Sequence, residues 1–155
     1  MPSQDFNHCR EQLATLVAEA NNLLATLEEL LSREHALLQS RDAEGLENAG
    51  TARQLCVGQM LRIEDDRRAL CRDYGRADDA AGLHALLAWC DPTGLLWPAM
   101  QEYRERTQRC RQQNDRNGIL VIGRLQSDRT ALDGRTYGPG SDPGQSYGRK
   151  FSTRA

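Results

Sequence analysis

Apolar residues recur at steps of three and four over most of this chain, the spacing that gathers side chains on one face of an α-helix. From about Gln4 to Ser40 the stripe runs Phe6, Cys9, Leu13, Leu16, Ala20, Leu23, Leu27, Leu30 and Leu37, with Glu34 as its only break. Beside it lies a second row, Val17, Leu24, Leu31 and Leu38. Two rows make a stripe wider than a two-stranded coil needs, so the first helix is expected to pack against two partner helices. At about 1.5 Å of rise per residue it spans roughly 50 Å. Its outer face is acidic rather than basic, which argues against lying on a membrane surface.

The segment Ser40 to Leu46 reads as a turn, with Asp42 as the N-cap of a second helix over 43–74. Leu46, Ala49, Cys56, Met60, Ile63, Leu70 and Tyr74 continue the stripe, broken by Arg53 and Arg67. The run Glu64-Asp65-Asp66-Arg67-Arg68 reads as a solvated face, and its carboxylates project around the helix rather than converging on a substrate. Gly75 stops that helix, and Asp78 is expected to cap a short one over 79–89 carrying Leu83, Leu86, Leu87 and Trp89. Asp91-Pro-Thr-Gly94 is a turn, and a final long helix is expected over 95–132, with Pro98 tolerated only in its first turn.

That last helix has two unequal halves. Its stripe falls on Trp97, Met100, Tyr103, Thr107, Cys110, Asn114, Asn117, Val121 and Leu125, so its centre is polar where a core should be dry. Two readings of Asn114 and Asn117 are open: buried asparagines that fix helix register, or groups that meet a partner. Immediately afterwards Ile119, Leu120, Val121 and Ile122 point about 100° apart around the helix, and one core-facing stripe cannot bury them all. Either neighbouring helices wrap this end or a second partner covers it. Gly118 and Gly123 cost roughly 1 kcal/mol each against alanine in a helix and permit close backbone approach or bending.

Beyond Leu132 the character changes. The stretch from Asp133 to Ala155 holds no aliphatic larger than alanine, and such Gly, Pro and Ser density cannot offset its own ordering entropy. Residues 134–155 are therefore expected to form a disordered tail behind a helical domain of residues 1–133. Tyr137, Tyr147 and Phe151 stand in it as large rigid contact surfaces with nothing local to pack on.

The expected fold class is all-α: an elongated antiparallel bundle of three long helices and one short one, with coiled-coil-like heptads and a disordered C-terminal tail. Composition agrees, since aromatics are 5% and charged residues 27% of the 155. No apolar run reaches the roughly 18 residues that a membrane span needs, and the first residues lack a signal peptide's basic start and apolar core. A cytoplasmic location is expected, without membrane insertion. Cys9, Cys56, Cys71, Cys90 and Cys110 show no Cys-x-x-Cys pair and no His at ligand spacing, so they read as reduced core fillers. His8, His35 and His84 are isolated. With no phosphate-binding glycine loop, nucleophile elbow or metal cluster, neither catalysis nor a cofactor or metal is expected.

Charge is uneven. Residues 1–100 hold 9 Arg against 16 acids, a balance of −7, whereas 101–155 hold 11 Lys or Arg against 6 acids, a balance of +5. The arginines of the final helix raise a helical regulatory or nucleic-acid-binding module as the alternative function. They circle that helix and alternate with Glu102, Glu105, Asp115 and Asp128, so no clean basic stripe faces a groove and nucleic acid is not the expected partner.

Four features occurring together carry a more specific reading: the long heptad-rich first helix, a second long helix, Asn114-Asp-Arg-Asn117-Gly118-Ile-Leu120 in a late helix, and a tail opening Thr136-Tyr137-Gly138. The chain resembles the FlgN-type flagellar export chaperones over nearly its whole length. That resemblance implies a cytoplasmic, substrate-specific chaperone of flagellar type III secretion, not an enzyme. Its partners would be hook-filament junction proteins, through their C-terminal helices, the cytoplasmic domain of the export gate, and the export ATPase complex. It carries client binding to Asn114, Asn117, Gly118, Leu120 and Val121, which with Ile119, Ile122 and Leu125 of the same apolar stretch make the expected client surface, and export-gate docking to Tyr137 with Gly138. After Tyr137-Gly138 the chain departs from the pattern and offers a second pair, Tyr147-Gly148, so the docking role of Tyr137 follows from its place just after the helix.

Overall fold

The computed structural model describes the backbone of residues 2–136, and side chains for 5–121 and Gly123. Four helices account for nearly all of it: α1 (Pro2–Ser40), α2 (Ala43–Asp73), α3 (Ala80–Cys90) and α4 (Trp97–Thr136). No strand occurs among the described residues.

The two leucine rows of α1 decide the architecture. Leu24 and Leu31 are almost wholly buried and Leu38 nearly so, while Leu13, Ala20 and Leu27 of the first row are buried beside them. α2 and α4 each pack along α1, and no Cα of one comes within 8 Å of the other among the described residues. The expectation of two partner helices for α1 therefore holds. Side chains bridge what the backbones leave apart, with Cys56 of α2 and Cys110 of α4 meeting Leu24, Leu27 and Leu31 in one apolar cluster. A second cluster at the other end gathers Cys9, Leu13, Leu70, Cys71, Leu86, Cys90 and Leu96, and there Phe6 and Tyr74 pack against Trp89.

Polar contacts show the helix directions. Tyr74 donates to Gln12, Cys56 to the carbonyl of Leu23, and Arg53 to Glu34, so α1 and α2 are antiparallel as expected. Asn21 donates to the carbonyl of Ala99, Arg109 to Glu28 and Asn117 to the carbonyl of Leu31, so α4 runs parallel to α1. The short α3 makes this possible, because it takes up one reversal between α2 and α4. The two breaks in the apolar stripes prove to be partners: the Arg53 guanidinium meets the buried Glu34 carboxylate at 2.6 Å. Such a pair contributes more to register than to net stability, since taking the carboxylate out of water offsets much of the attraction.

Caps explain the helix ends. Asp42 accepts from the Gly45 amide as expected. At α3 the cap is Asp79, accepting from the Gly82 amide, rather than Asp78, whose carboxylate is held by Arg72 at 2.9 Å. Gly75 ends the previous helix with φ of +70°, and Gly82 lets the Ala77 carbonyl approach so closely that a Cβ could not fit. α4 begins at Trp97 instead of residue 95, because the buried Asp91 carboxylate accepts from the amides of both Leu95 and Leu96 and holds them in the turn. It continues through Thr136, past the expected end at Leu132, since one glycine lowers helix propensity without stopping a helix and the next proline is Pro139. The expected tail beyond Thr136 lies outside the described residues.

All five cysteines are buried and free, the core fillers expected. Burial pushes the Cys9 thiol up from 9.0 to about 12, helped by neighbouring Cys90 and Cys71, and pushes Cys110 up to about 11. A thiol held above its unfolded value supports the fold fully below that value and loses the support as pH climbs toward the folded one. The thiol's contribution should therefore be level up to about pH 9 and fall between 9.0 and about 12. Denaturant midpoints across that range check this, and Cys9→Ala should flatten the decline; an unchanged slope would show that the thiol does not drive it.

Candidate functional site

The register between α1 and α4 fixes where the candidate residues lie. Asn117 lies against Leu31 and His35. Continued at the offset of 82 between His35 and Asn117, Ser40 falls opposite residue 122, so the end of α4 runs past the end of α1. The candidate residues thus straddle the point where α1 stops.

Their side chains divide. Asn117 is buried and belongs to the bundle, its amide donating to the Leu31 carbonyl at 2.8 Å while its oxygen faces Nδ1 of His35 at 3.2 Å. For His35 to donate there, its proton must sit on Nδ1. This is the register-fixing reading of Asn117, and it leaves that side chain occupied. Asn114, Gly118, Leu120 and Val121 are half-buried. Ile119 points away from α1 and is 72% exposed, the most exposed of the large apolar side chains described. Gly123 is exposed, and a Cβ there would meet nothing within 4 Å, so it serves no close approach within this chain. The side chains of Ile122 and Leu125, and Tyr137 and Gly138 altogether, lie outside the described residues.

Two concavities flank the lower half of α4. One, toward α2, is an apolar cavity of about 130 Å³ walled by Leu16, Val17, Ile63, Leu87, Met100 and Tyr103. The Glu64–Arg67 pair borders it, and the hydrogen bond from Arg67, against the opposing cost of burial, holds the Glu64 carboxyl below its usual value. The other is an open groove of about 980 Å³ between α3 and α4. No described residue of 114–125 lines either of them, and the described candidate residues lie along a helix face.

Two of the described arginines of α4 are committed within the bundle. Arg106 and Arg109 both reach Glu28 of α1, and Arg106 also pairs with Glu102, which spends their charge inside the bundle. Sequence reading missed Glu28 and Asn21, both of which tie α1 to α4; an asparagine and a glutamate beside the leucine rows were the available signal. No group of three potential metal ligands occurs among the described residues. No described helix is long and apolar enough to cross a membrane.

An elongated helical bundle with no assembled catalytic or metal cluster among its described residues, and a large apolar side chain bared on the outer face of its last helix, has the form of a protein-binding module. The family model described as FlgN protein matches residues 9–154, and the chain belongs to the FlgN family, which is a family of flagellar export chaperones. No curated protein and no solved structure matches the chain.

The division of side chains makes a contrast testable by denaturant unfolding. Asn117→Ala removes two buried hydrogen bonds, to the Leu31 carbonyl and to the His35 ring, and should cost about 2 kcal/mol. Ile119→Ser removes nothing from the core and should stay within about 0.5 kcal/mol of the parent.

Proposed function

We propose that this chain is a cytoplasmic, substrate-specific chaperone that holds the C-terminal helices of hook-filament junction proteins on the upper part of α4 and delivers them to the export gate. The observation that carries the reading is the exposure of Ile119 on the outer face of α4, near the level where α1 ends, in a chain of the FlgN family. An amphipathic client helix laid along that face would bury Ile119, with Leu120, Val121, Ile122 and Leu125 supplying the flanks and Asn114 and Gly118 the close approach. Asn117 supports the surface from below by locking α4 to α1. Such holding needs no covalent chemistry, because a covered apolar stripe on the client is enough to keep it from assembling early.

Gate docking is assigned to Tyr137 with Gly138, directly after the last helical residue. A tyrosine can bury its ring in a partner's pocket while its hydroxyl keeps a hydrogen bond, and the glycines and proline around it leave the ring without a local core. The export ATPase complex is a further partner under this reading.

Calorimetric titration with a synthetic C-terminal helix of a junction protein tests the client surface. Ile119→Asp and Leu120→Asp should each weaken binding about tenfold or more with helicity retained. Unaltered affinity in the Ile119→Asp protein would remove the upper face of α4 from client binding. Tyr137→Ala should lose affinity for the purified cytoplasmic domain of the gate and keep the client; retained gate affinity would move docking to Tyr147 or off this segment.

A further inference from the structure

The groove between α3 and the lower half of α4 lies apart from that client surface. Its floor is apolar, made by Leu83 and Leu87 of α3 with Trp97 and Met100 of α4. Trp97 is 56% exposed, an unusual state for so large a ring on a bundle whose own contacts could cover it. α3 and α4 are joined by a short turn, yet no Cα of one comes within 8 Å of the other among the described residues. The groove is thus held open along an α3 of 11 residues, about 16 Å, which suits three turns of another helix.

Its charge is one-sided. Arg104 and Arg111, two turns apart, border the groove, are exposed, and form no ion pair among the described residues. They differ in this from Arg106 and Arg109 on the same helix, which spend themselves on Glu28. The acid that lines the groove is Asp91, and its two carboxylate oxygens are taken up by the Leu95 and Leu96 amides. Two uncompensated guanidinium groups over an apolar floor match a helix with an apolar stripe and carboxylates on its flank. A phosphate backbone would satisfy the arginines and leave Leu83, Leu87 and Trp97 against water.

We propose that the α3–α4 groove docks an acidic amphipathic helix of a partner protein, at a second site distinct from the upper face of α4. Its residues are Leu83, Leu87, Trp97 and Met100 for the apolar stripe, with Arg104 and Arg111 for the flanking carboxylates.

The test uses the full chain and fluorescent helical peptides of about three turns, with one leucine stripe and either Glu or Lys on its flanks. Fluorescence anisotropy should show binding of the Glu-flanked peptide, weakening as salt rises. The double variant Arg104→Glu/Arg111→Glu should lose about tenfold or more in affinity for it and gain the Lys-flanked one, with helicity unchanged because both side chains are exposed. Leu120→Asp should leave this binding intact, which separates failure here from failure of the client surface. No binding of the Glu-flanked peptide, or binding indifferent to the reversals, overturns the proposal. So do three other results: displacement of the peptide by a nonspecific DNA duplex, concentration-dependent dimerisation abolished by the reversals, or tighter peptide binding once residues 137–155 are removed. These would assign the groove to phosphate, to a second copy or to the chain's own end.

Discussion

α1 has to bury two rows of leucine at once, and no single neighbouring helix can cover both. That constraint sets the rest of the bundle. α2 and α4 each pack along it, and each is held by α1 more than by anything else. Because the two outer helices stay apart, the core between them is closed by side chains, Cys56 and Cys110 above Leu24, Leu27 and Leu31. The concavities beside α4 follow from the same geometry, since a helix held along one line leaves its other sides open.

Apolar stripes alone leave a long bundle free to slide by a turn, because one leucine fits another's place at small cost. Polar groups at particular heights remove that freedom. Glu34 with Arg53 sets α2 against α1, and Asn21, Glu28 and His35 set α4 against it. A shift of one turn would strand several of these at once, each with a desolvated partner. Stability and register are therefore carried by different residues, the first by leucine and cysteine, the second by the interruptions among them.

Much of this was legible in the residues because burial has a period. The four helices, the Asp42 cap, the width of the α1 stripe and the buried free thiols all followed from spacing and residue type. What could not be read was pairing between helices. Glu34 and Arg53 each look like a defect within one stripe and become a pair only when α2 folds back. The direction of α4 depends on how much of the reversal α3 takes up, which no periodicity reports. At the candidate site the sequence said that Ile119 to Ile122 could not all be buried, but not which would be left out. The answer depends on which face of α4 turns toward α1 at Asn117, a matter of pairing between helices; it leaves Ile119 outward and Val121 half-covered. Tyr137 lies outside the described residues, so its part in the site was read from the sequence alone.

The same register has a functional consequence under the proposed reading. A chaperone that offered its client the helix face by which its own core is held would have to open that core to bind, and binding energy would be offset by unfolding. Here α4 is used twice along its length. Its lower part lends Cys110 and the Arg106 and Arg109 contacts to α1, and Asn117 closes that interface near the end of α1. Beyond that point α1 runs alongside only to about residue 122, and Ile119 faces away from it, so a client helix can be gained or lost on that outer face without disturbing either apolar cluster. Holding and release then depend only on the client's own stripe, which suits a partner that must be given up intact.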